Sequence, residues 1–242
     1  MNEREFAEIT LRTQNKLLAK IAKGDSFPEI LNALVEAIEQ NLDQAFCSIF
    51  LLDKDNRFRL GAAPNLPNEY SEGANGRLSS DDMSPCGRAV SRRKTVIVSD
   101  IAKASFAPSY QDFALSCGLR ACWSMPVFGS DGRVLGTFAT YYQTVRSPQT
   151  YELNTIAQMA HLTGIAIERQ QAEERLYRSE TMLLEAQEIS QVGNWSFDVA
   201  SQAVTWSPGM FRLYGLASTA ATLKTHKEAL SDDPRSRPAQ ST

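Results

Sequence analysis

A cysteine at a predicted helix start is the residue of this sequence best placed to do chemistry. Residues 83–90 read MSPCGRAV, with Ser84, Pro85 and Cys86 where a helix would begin. Ser is a favoured N-cap residue and Pro fits the first helical position, while a helix N-terminus lowers the pKa of a thiol placed there. Cys86 is therefore a candidate reactive thiol, a pocket wall or a small residue in a helix cap.

The other cysteines and the histidines form no metal-binding or catalytic motif. Cys47, Cys117 and Cys122 make no CxxC pair, and the two histidines are His161 and His226. We therefore predict no metal, no structural zinc site and no His-dependent triad.

Composition and charge indicate a soluble globular protein. The 242 residues are 43% hydrophobic and 22% charged, with a net charge of -3. A nucleic-acid-binding domain is typically basic, so this class is not expected. No apolar run approaches the roughly 20 residues that cross a membrane, and the start MNEREFAEIT lacks the apolar core of a secretory signal. We expect a cytoplasmic protein without membrane contact, in which the cysteines are reduced.

The hydrophobic pattern predicts helices that flank a sheet. Apolar spacings of three and four indicate helices, short β-branched or aromatic runs indicate strands, and Asp131-Gly132 is typical of a hairpin turn. Ser26 and Glu29 predict a capping box. The predicted elements are a helix over 3–23, a helix from 27 to about 41, strands over 45–52 and 57–63, a long loop over 64–83, a helix over 84–93, a strand over 95–98, a helix over 108–117 and strands over 120–128 and 134–142.

A helical pattern returns at Pro148 and continues to about Gln191. Side chains at alternating steps of three and four form a heptad seam, with polar positions at Arg169 and Ser179. A helix of this length has too little to bury its seam against within one chain, so we expect a parallel homodimer; a helix that folds back or stays exposed is the alternative. The predicted dimer residues are Leu162, Ile165, Ala172, Leu176, Ser179, Leu183 and Ala186.

Five motifs together resemble the GAF domain family, over about residues 25–170. They are CGRAV at 86–90, VIVSDI at 96–101, GLRACWSMPV at 118–127, GRVLGTFA at 132–139 and GIAIER at 164–169. They look most like the GAF domains of bacterial sensor histidine kinases and of cyclic-di-GMP turnover proteins. The resemblance implies an α+β fold, in which a GAF-like antiparallel sheet is flanked by helices, with long N- and C-terminal helices that form a coiled-coil linker.

The stretch from Gly193 to Gly215 resembles the opening of a PAS domain, with Trp195 and Trp206 in two short strands. Too few residues follow for a whole PAS domain, and the polar, aperiodic segment 217–242 is typical of a disordered tail. We therefore predict four regions: an N-terminal helix (1–24), a GAF sensory domain (25–170), a coiled-coil signalling helix (171–191) and a truncated PAS-like segment with a disordered tail (192–242).

The GAF resemblance implies a small-molecule pocket between the sheet and its covering helices. The residues expected near it are Cys86, Asp100, Tyr110, Phe113, Cys117, Trp123 and Thr140. For each aromatic residue, plain core packing is the alternative, because the faces of the strand over 120–128 are both apolar and the pattern does not say which points to the pocket.

The ligand is not identified by the sequence. Bilin-binding members of the family carry a Cys-His pair, whereas Gly87 follows Cys86 here. The signature Asn-Lys-Phe-Asp-Glu of cyclic-nucleotide members is not found. Haem bound through His161 is less expected than packing or exposure of that residue.

Two thiol-based alternatives remain open. Some stand-alone GAF proteins reduce free methionine sulfoxide with a cysteine in a Cys-Gly helix start, like Cys86, and a second one near the position of Cys117. A redox sensor would need only Cys86. The main prediction is a sensory, non-catalytic module that binds a small molecule and signals through a dimeric helix to an output domain of the two-component or cyclic-di-GMP type.

Overall fold

The computed structural model describes residues 3–80, 83–189 and 193–215. The predicted tail over 217–242 lies outside these residues. The helices are α1 (Glu3–Lys23), α2 (Phe27–Glu39), α3 (Asn68–Ala74), α4 (Pro85–Arg92), α5 (Pro108–Ser116), α6 (Thr150–Ile189) and α7 (Pro208–Leu213), and a 3-10 turn spans Ile101–Lys103. The strands are β1 (Phe46–Leu52), β2 (Phe58–Ala62), β3 (Val96–Val98), β4 (Ala121–Phe128), β5 (Val134–Tyr142), β6 (Trp195–Asp198) and β7 (Ala203–Trp206).

Five of the strands form one antiparallel sheet in the order β2-β1-β5-β4-β3. The central strands are apolar along most of their length, which suits strands covered on both faces. Helices flank this sheet, so the predicted α+β, GAF-like fold is confirmed.

Each face of the sheet carries its own core. Side chains of α1, α2 and α6, among them Leu17, Leu34 and Ile156, pack with Trp123 and Phe138 on one face. Tyr70, Cys86 and Tyr110, from α3, α4 and α5, pack with Cys122 and Tyr141 on the other. Because successive side chains of a strand point to opposite faces, neighbours such as Cys122 and Trp123 belong to different cores.

Local capping explains where two of the helices begin. The Glu29 carboxylate accepts hydrogen bonds from the backbone N–H and the hydroxyl of Ser26, at 3.1 and 2.7 Å, which holds the start of α2. The Ser84 hydroxyl accepts from the backbone N–H of Gly87 at 3.0 Å, and Pro85 occupies the first helical position of α4. The predicted cap of α4 is confirmed.

The predicted loop over 64–83 is wrong in part, because α3 lies within it. Its sequence NEYSEGA has no apolar periodicity, so the pattern did not indicate a helix. Tyr70 and Ser71 are nevertheless buried, since α3 packs on β2 and the ring of Tyr70 stacks on Phe113 of α5. Tertiary packing therefore stabilises this short helix.

At two positions the backbone of another segment comes so close that only glycine fits. A Cβ atom on Gly136 would lie 2.2 Å from the carbonyl oxygen of Phe50, and one on Gly87 would lie 2.1 Å from that of Ser80. Only Gly allows these contacts. Gly87 thus leaves room for the chain segment before α4.

The chain divides into two compact units, Met1–Gln171 and Ala172–Thr242. In the second unit β6 and β7 form a two-stranded antiparallel hairpin in which Trp195 pairs with Trp206. Trp206 also contacts the rings of Phe211 and Tyr214 at centroid distances of 5.5 and 5.1 Å, which attaches α7 to the hairpin. None of the described helices is long and apolar enough to cross a membrane.

Candidate functional site

A small cavity lies on the sheet face that α3, α4 and α5 cover. Its volume is about 30 Å³, which is room for a water-sized molecule. The lining is mainly aromatic and apolar, with one thiol and three phenolic hydroxyls among its groups. The lining residues are Phe50, Phe58, Tyr70, Ala74, Arg77, Leu78, Met83, Ser84, Cys86, Tyr110, Phe113 and Tyr141.

Aromatic contacts close the cavity on the side of α3 and α5. The rings of Tyr70 and Phe113 stack at 5.6 Å, and the hydroxyls of Tyr70 and Tyr110 are 3.3 Å apart. Tyr70 also meets the ring of Tyr141 on β5 edge-on, at 5.2 Å. Offset and edge-on aromatic pairs add stabilisation beyond their buried area. Tyr70 therefore joins α3 to α5 and to the sheet.

The polar part of the site lies beneath the first turn of α4. The sulfur of Cys86 is 3.6 Å from the phenolic oxygen of Tyr141, which is in turn 3.1 Å from the hydroxyl of Ser48. Cys86 is 6% exposed, and Tyr141 and Ser48 are fully buried. The α4 cap thus brings a thiol to two hydroxyls of the sheet.

These surroundings lower the pKa of the Cys86 thiol from its ordinary 9.0 to about 6. Hydrogen bonding from the Cys122 thiol is the largest cause, and the hydroxyls of Ser124, Tyr141 and Thr137 act in the same direction against the desolvation. Burial, aided by the Cys86 charge, raises the pKa of Cys122 well above its usual range. One thiol of the pair is therefore favoured as thiolate and the other as thiol.

Two buried hydroxyls near Cys86 have no hydrogen-bond partner among the described residues. The Ser124 and Thr137 side chains are fully buried, and within the described residues neither hydroxyl oxygen makes a formed hydrogen bond. Both are close enough to Cys86 to lower its pKa. They are thus donors available to a thiolate.

The tyrosines of the cavity are held neutral. Burial is the main cause that raises the pKa of Tyr70, Tyr110 and Tyr141 well above the usual range. All three therefore act as hydroxyl donors and acceptors at neutral pH.

The structure brings three of the seven predicted pocket residues to the cavity: Cys86, Tyr110 and Phe113. Asp100 instead caps the 3-10 turn, where its carboxylate accepts from the backbone N–H of Ala102 at 3.1 Å. Cys117 ends α5 and lies outside the lining.

Trp123 and Thr140 lie on the opposite face of the sheet, and the prediction that they line this cavity is corrected. They are directly paired across β4 and β5. Trp123 packs on Tyr142 at a ring distance of 4.6 Å, and the thiol of Cys47 donates to Thr140 at 3.7 Å. The neighbouring positions Cys122 and Tyr141 face the cavity side instead.

Sequence reasoning missed Tyr70, Tyr141, Ser124 and Thr137. The alternation of β5 places Thr137 and Tyr141 on one face, but nothing in the sequence indicated that this face bears the cavity. Tyr70 lies in the segment that was predicted as a loop.

The residues of the predicted dimer seam differ in burial along α6. Leu162 is buried and Ile165 packs against the core of the first unit, so their side chains are used within the chain. Ala172, Leu176, Ser179, Leu183 and Ala186 are exposed.

The part of the chain that the structure describes contains no group of three or more His, Cys, Asp or Glu side chains able to hold a metal ion. His161 is exposed on α6.

Comparison with known proteins finds some that are similar to this chain in sequence and others that are similar in fold. A family model described as GAF domain matches residues 24–168. The methyl sulfide methyltransferase-associated sensor of Methanosarcina acetivorans is 39% identical over 181 residues, which are 74% of this chain and 18% of that protein. The chain thus spans less than a fifth of that relative.

Solved structures with low sequence identity share the fold. The GAF domain of a phosphoenolpyruvate-protein phosphotransferase from Coxiella burnetii has a TM-score of 0.58 at 15% identity, over 70% of this chain and 98% of that one. Free methionine-R-sulfoxide reductase from Neisseria meningitidis, in complex with its substrate, has a TM-score of 0.51 at 17% identity, over 69% and 91%. At such identities the likeness concerns the fold alone.

Proposed function

Because the chain belongs to the GAF domain family, as the match over residues 24–168 shows, we propose that it is a sensory module. It binds a small molecule in the cavity beneath α4, and occupancy of that cavity is the signal. The relative from Methanosarcina acetivorans is named a sensor, which supports this class of function.

The cavity beneath α4 is the observation that carries the proposal. Ligand sites are typically concave and apolar, with a few convergent polar groups. Here the aromatic walls of Tyr70, Phe113 and Phe58 surround the thiol of Cys86 and the hydroxyl of Tyr141. The binding residues that we propose are Cys86, Tyr110 and Phe113 from the sequence, together with Tyr70 and Tyr141.

A ligand larger than a water molecule requires the cover to move. The stacked rings of Tyr70 and Phe113 and the paired hydroxyls of Tyr70 and Tyr110 are the contacts that hold α3 against α5. Their separation would enlarge the cavity without unfolding the sheet. A ligand shifts such an equilibrium only by its preference for the open arrangement.

The relay that we propose runs through α6 in a homodimer. Its first part packs on the sheet through Leu162 and Ile156, and the same helix continues to Ile189. The exposed apolar side chains of Leu176 and Leu183 fit the seam of a coiled coil.

We propose a cytoplasmic sensor whose signal reaches a histidine kinase or a cyclic-di-GMP enzyme, with the hairpin β6–β7 and α7 as the start of a PAS-like segment. In this proposal the module itself is non-catalytic.

The alternative is a redox sensor or a reductase that works through Cys86 and Cys117. The likeness to the Neisseria meningitidis reductase concerns the fold alone. Since Cys117 lies outside the cavity that Cys86 lines, the geometry favours the small-molecule module over this pairing.

Native mass spectrometry of freshly purified protein, beside a denatured sample, tests the proposal. We expect a dimer that carries an additional non-covalent mass. Ala74→Trp, which fills the cavity, should remove that mass, whereas Ala102→Trp at an exposed position should retain it. A folded, ligand-free monomer would overturn the proposal.

A further inference from the structure

Cys86 and Cys122 lie together in the interior. α4 packs directly on β4, and both cysteines belong to the same buried cluster. The Cys86 sulfur contacts the hydroxyl of Tyr141, and Tyr141 is the residue directly opposite Cys122 in the register of β4 and β5. Two thiols that are 36 positions apart in sequence are thus brought to one place.

The other two cysteines lie away from Cys86 and Cys122. Cys47 faces the opposite core, where it donates to Thr140. Cys117 ends α5, is half-buried and does not line the cavity. Cys122 is therefore the partner that the fold offers to Cys86.

The cavity provides a site for a small oxidant beside the Cys86 thiol. The cavity of about 30 Å³ is lined by Cys86 and extends to the exposed side chains of Met83 and Leu78. Hydrogen peroxide is little larger than water, whereas a bulkier oxidant would not fit without rearrangement of the cover.

The surroundings favour the reactive form of Cys86. Thiolates, and not thiols, are oxidised by peroxide, and susceptibility follows thiolate character and access. The buried hydroxyls of Ser124 and Thr137, which lack a formed hydrogen bond within the described chain, are donors for the charge. Tyr141 supplies a third hydroxyl.

We propose that Cys86 and Cys122 are a redox pair that hydrogen peroxide converts to an intramolecular disulfide. This site does not depend on the small-molecule ligand proposed above. Its oxidation would link α4 to β4 covalently and would fix the wall of the cavity.

The reaction proceeds in two steps. The Cys86 thiolate attacks one peroxide oxygen, so that an S–O bond forms, the O–O bond breaks and hydroxide leaves, which takes up a proton to give water. The Cys122 sulfur then attacks the sulfur of the Cys86 sulfenic acid; the S–S bond forms, the S–O bond breaks, and the hydroxide leaves with the Cys122 proton as a second water. Two thiols are oxidised by two electrons and one peroxide is reduced.

Peptide mapping of the full chain tests the pairing directly. Trypsin cleavage at Arg77, Arg88, Lys103, Arg120 and Arg133 places Cys86 in peptide 78–88 and Cys122 in peptide 121–133, and leaves Cys117 in peptide 104–120. After treatment with hydrogen peroxide and blocking of free thiols, we expect peptides 78–88 and 121–133 to be linked, with the link lost on reduction. A link to peptide 104–120, over-oxidation of Cys86 beside a free Cys122, or an unreactive Cys86 would each overturn the proposal.

Thiol counting on denatured samples gives a second readout. Of the four cysteines, two should be lost from the unsubstituted chain after peroxide treatment. Cys117→Ser is the matched control and should also lose two, whereas Cys86→Ser and Cys122→Ser should form no linked peptide. Far-ultraviolet circular dichroism confirms that each variant is folded, and the map of the unsubstituted chain decides the pairing even if Cys122→Ser does not fold.

Discussion

The sulfur of Cys86, at the start of α4, lies 3.6 Å from the phenolic oxygen of Tyr141 on β5. Tyr141 also meets the hydroxyl of Ser48 on β1, so one phenol connects the helix to two strands. The contact joins the cover of the cavity to the sheet, and it places a donor beside the thiol.

Tyr141→Phe should raise the pKa of Cys86. A hydrogen bond to a charged group is worth about 1.5–3 kcal/mol, so its loss should shift the pKa by about one to two units. The measurement is a pH titration of the ultraviolet absorbance of the thiolate, with Cys86→Ser as the blank. Ser48→Ala removes the other partner of Tyr141 and should leave the Cys86 titration nearly unchanged. Equal titrations for Tyr141→Phe and the unsubstituted chain would contradict the prediction.

Stability should increase with pH through the range in which Cys86 ionises only in the folded state. The folded pKa is about 6 and the ordinary value is 9.0, so between these limits the unfolded chain binds the additional proton. The contribution of Cys86 is thus present above pH 9 and is lost as the pH falls through about 6. Urea unfolding at several pH values should show this increase for the unsubstituted chain and a smaller one for Cys86→Ser. Parallel curves would show that Cys86 remains a thiol when folded.

Breaking the ion pair of Arg146 and Glu152 should lower the stability of the fold. The Glu152 side chain is fully buried, that of Arg146 is 30% exposed, and the Arg146 guanidinium also lies over the ring of Tyr142 at 4.6 Å. Removal of one partner of a buried pair leaves an uncompensated charge, so Glu152→Gln should lower the free energy of unfolding by about 3 kcal/mol.

The exposed pair of Arg133 and Asp131 provides the control for that measurement. Asp131→Asn should lower the free energy of unfolding much less than Glu152→Gln does, because water screens an exposed pair. Urea unfolding measures both variants. Similar losses in the two would show that the burial of Glu152 does not matter.

The seam of α6 should cross-link in a dimer. With Cys117→Ser as background, Leu176→Cys should form a 176–176 disulfide under mild oxidation, visible on a non-reducing gel. Arg178→Cys lies two positions further on, nearly opposite on the helix, and should cross-link much more weakly. Both positions are exposed, so access is equal. A monomeric Leu176→Cys variant after oxidation would count against the dimer.

Much of the architecture was predictable because it rests on local patterns. Ser84 and Pro85 predicted the start of α4, and Asp131-Gly132 predicted the turn between β4 and β5, where Gly132 has a φ of +80°. By contrast α3 was missed, because its stability comes from the burial of Tyr70 against other elements and leaves no period in its own sequence.

The sequence by itself determined the helix and strand order, the cap that positions Cys86 and the resemblance to the GAF family, because each depends on residues close together in the chain. Only the tertiary structure decided which faces of β4 and β5 bear the cavity. Seven consecutive residues of β4 are buried, so its pattern does not distinguish Cys122 from Trp123. The packing of α4 on that strand makes the distinction, and it brings Cys122 rather than Cys117 to Cys86.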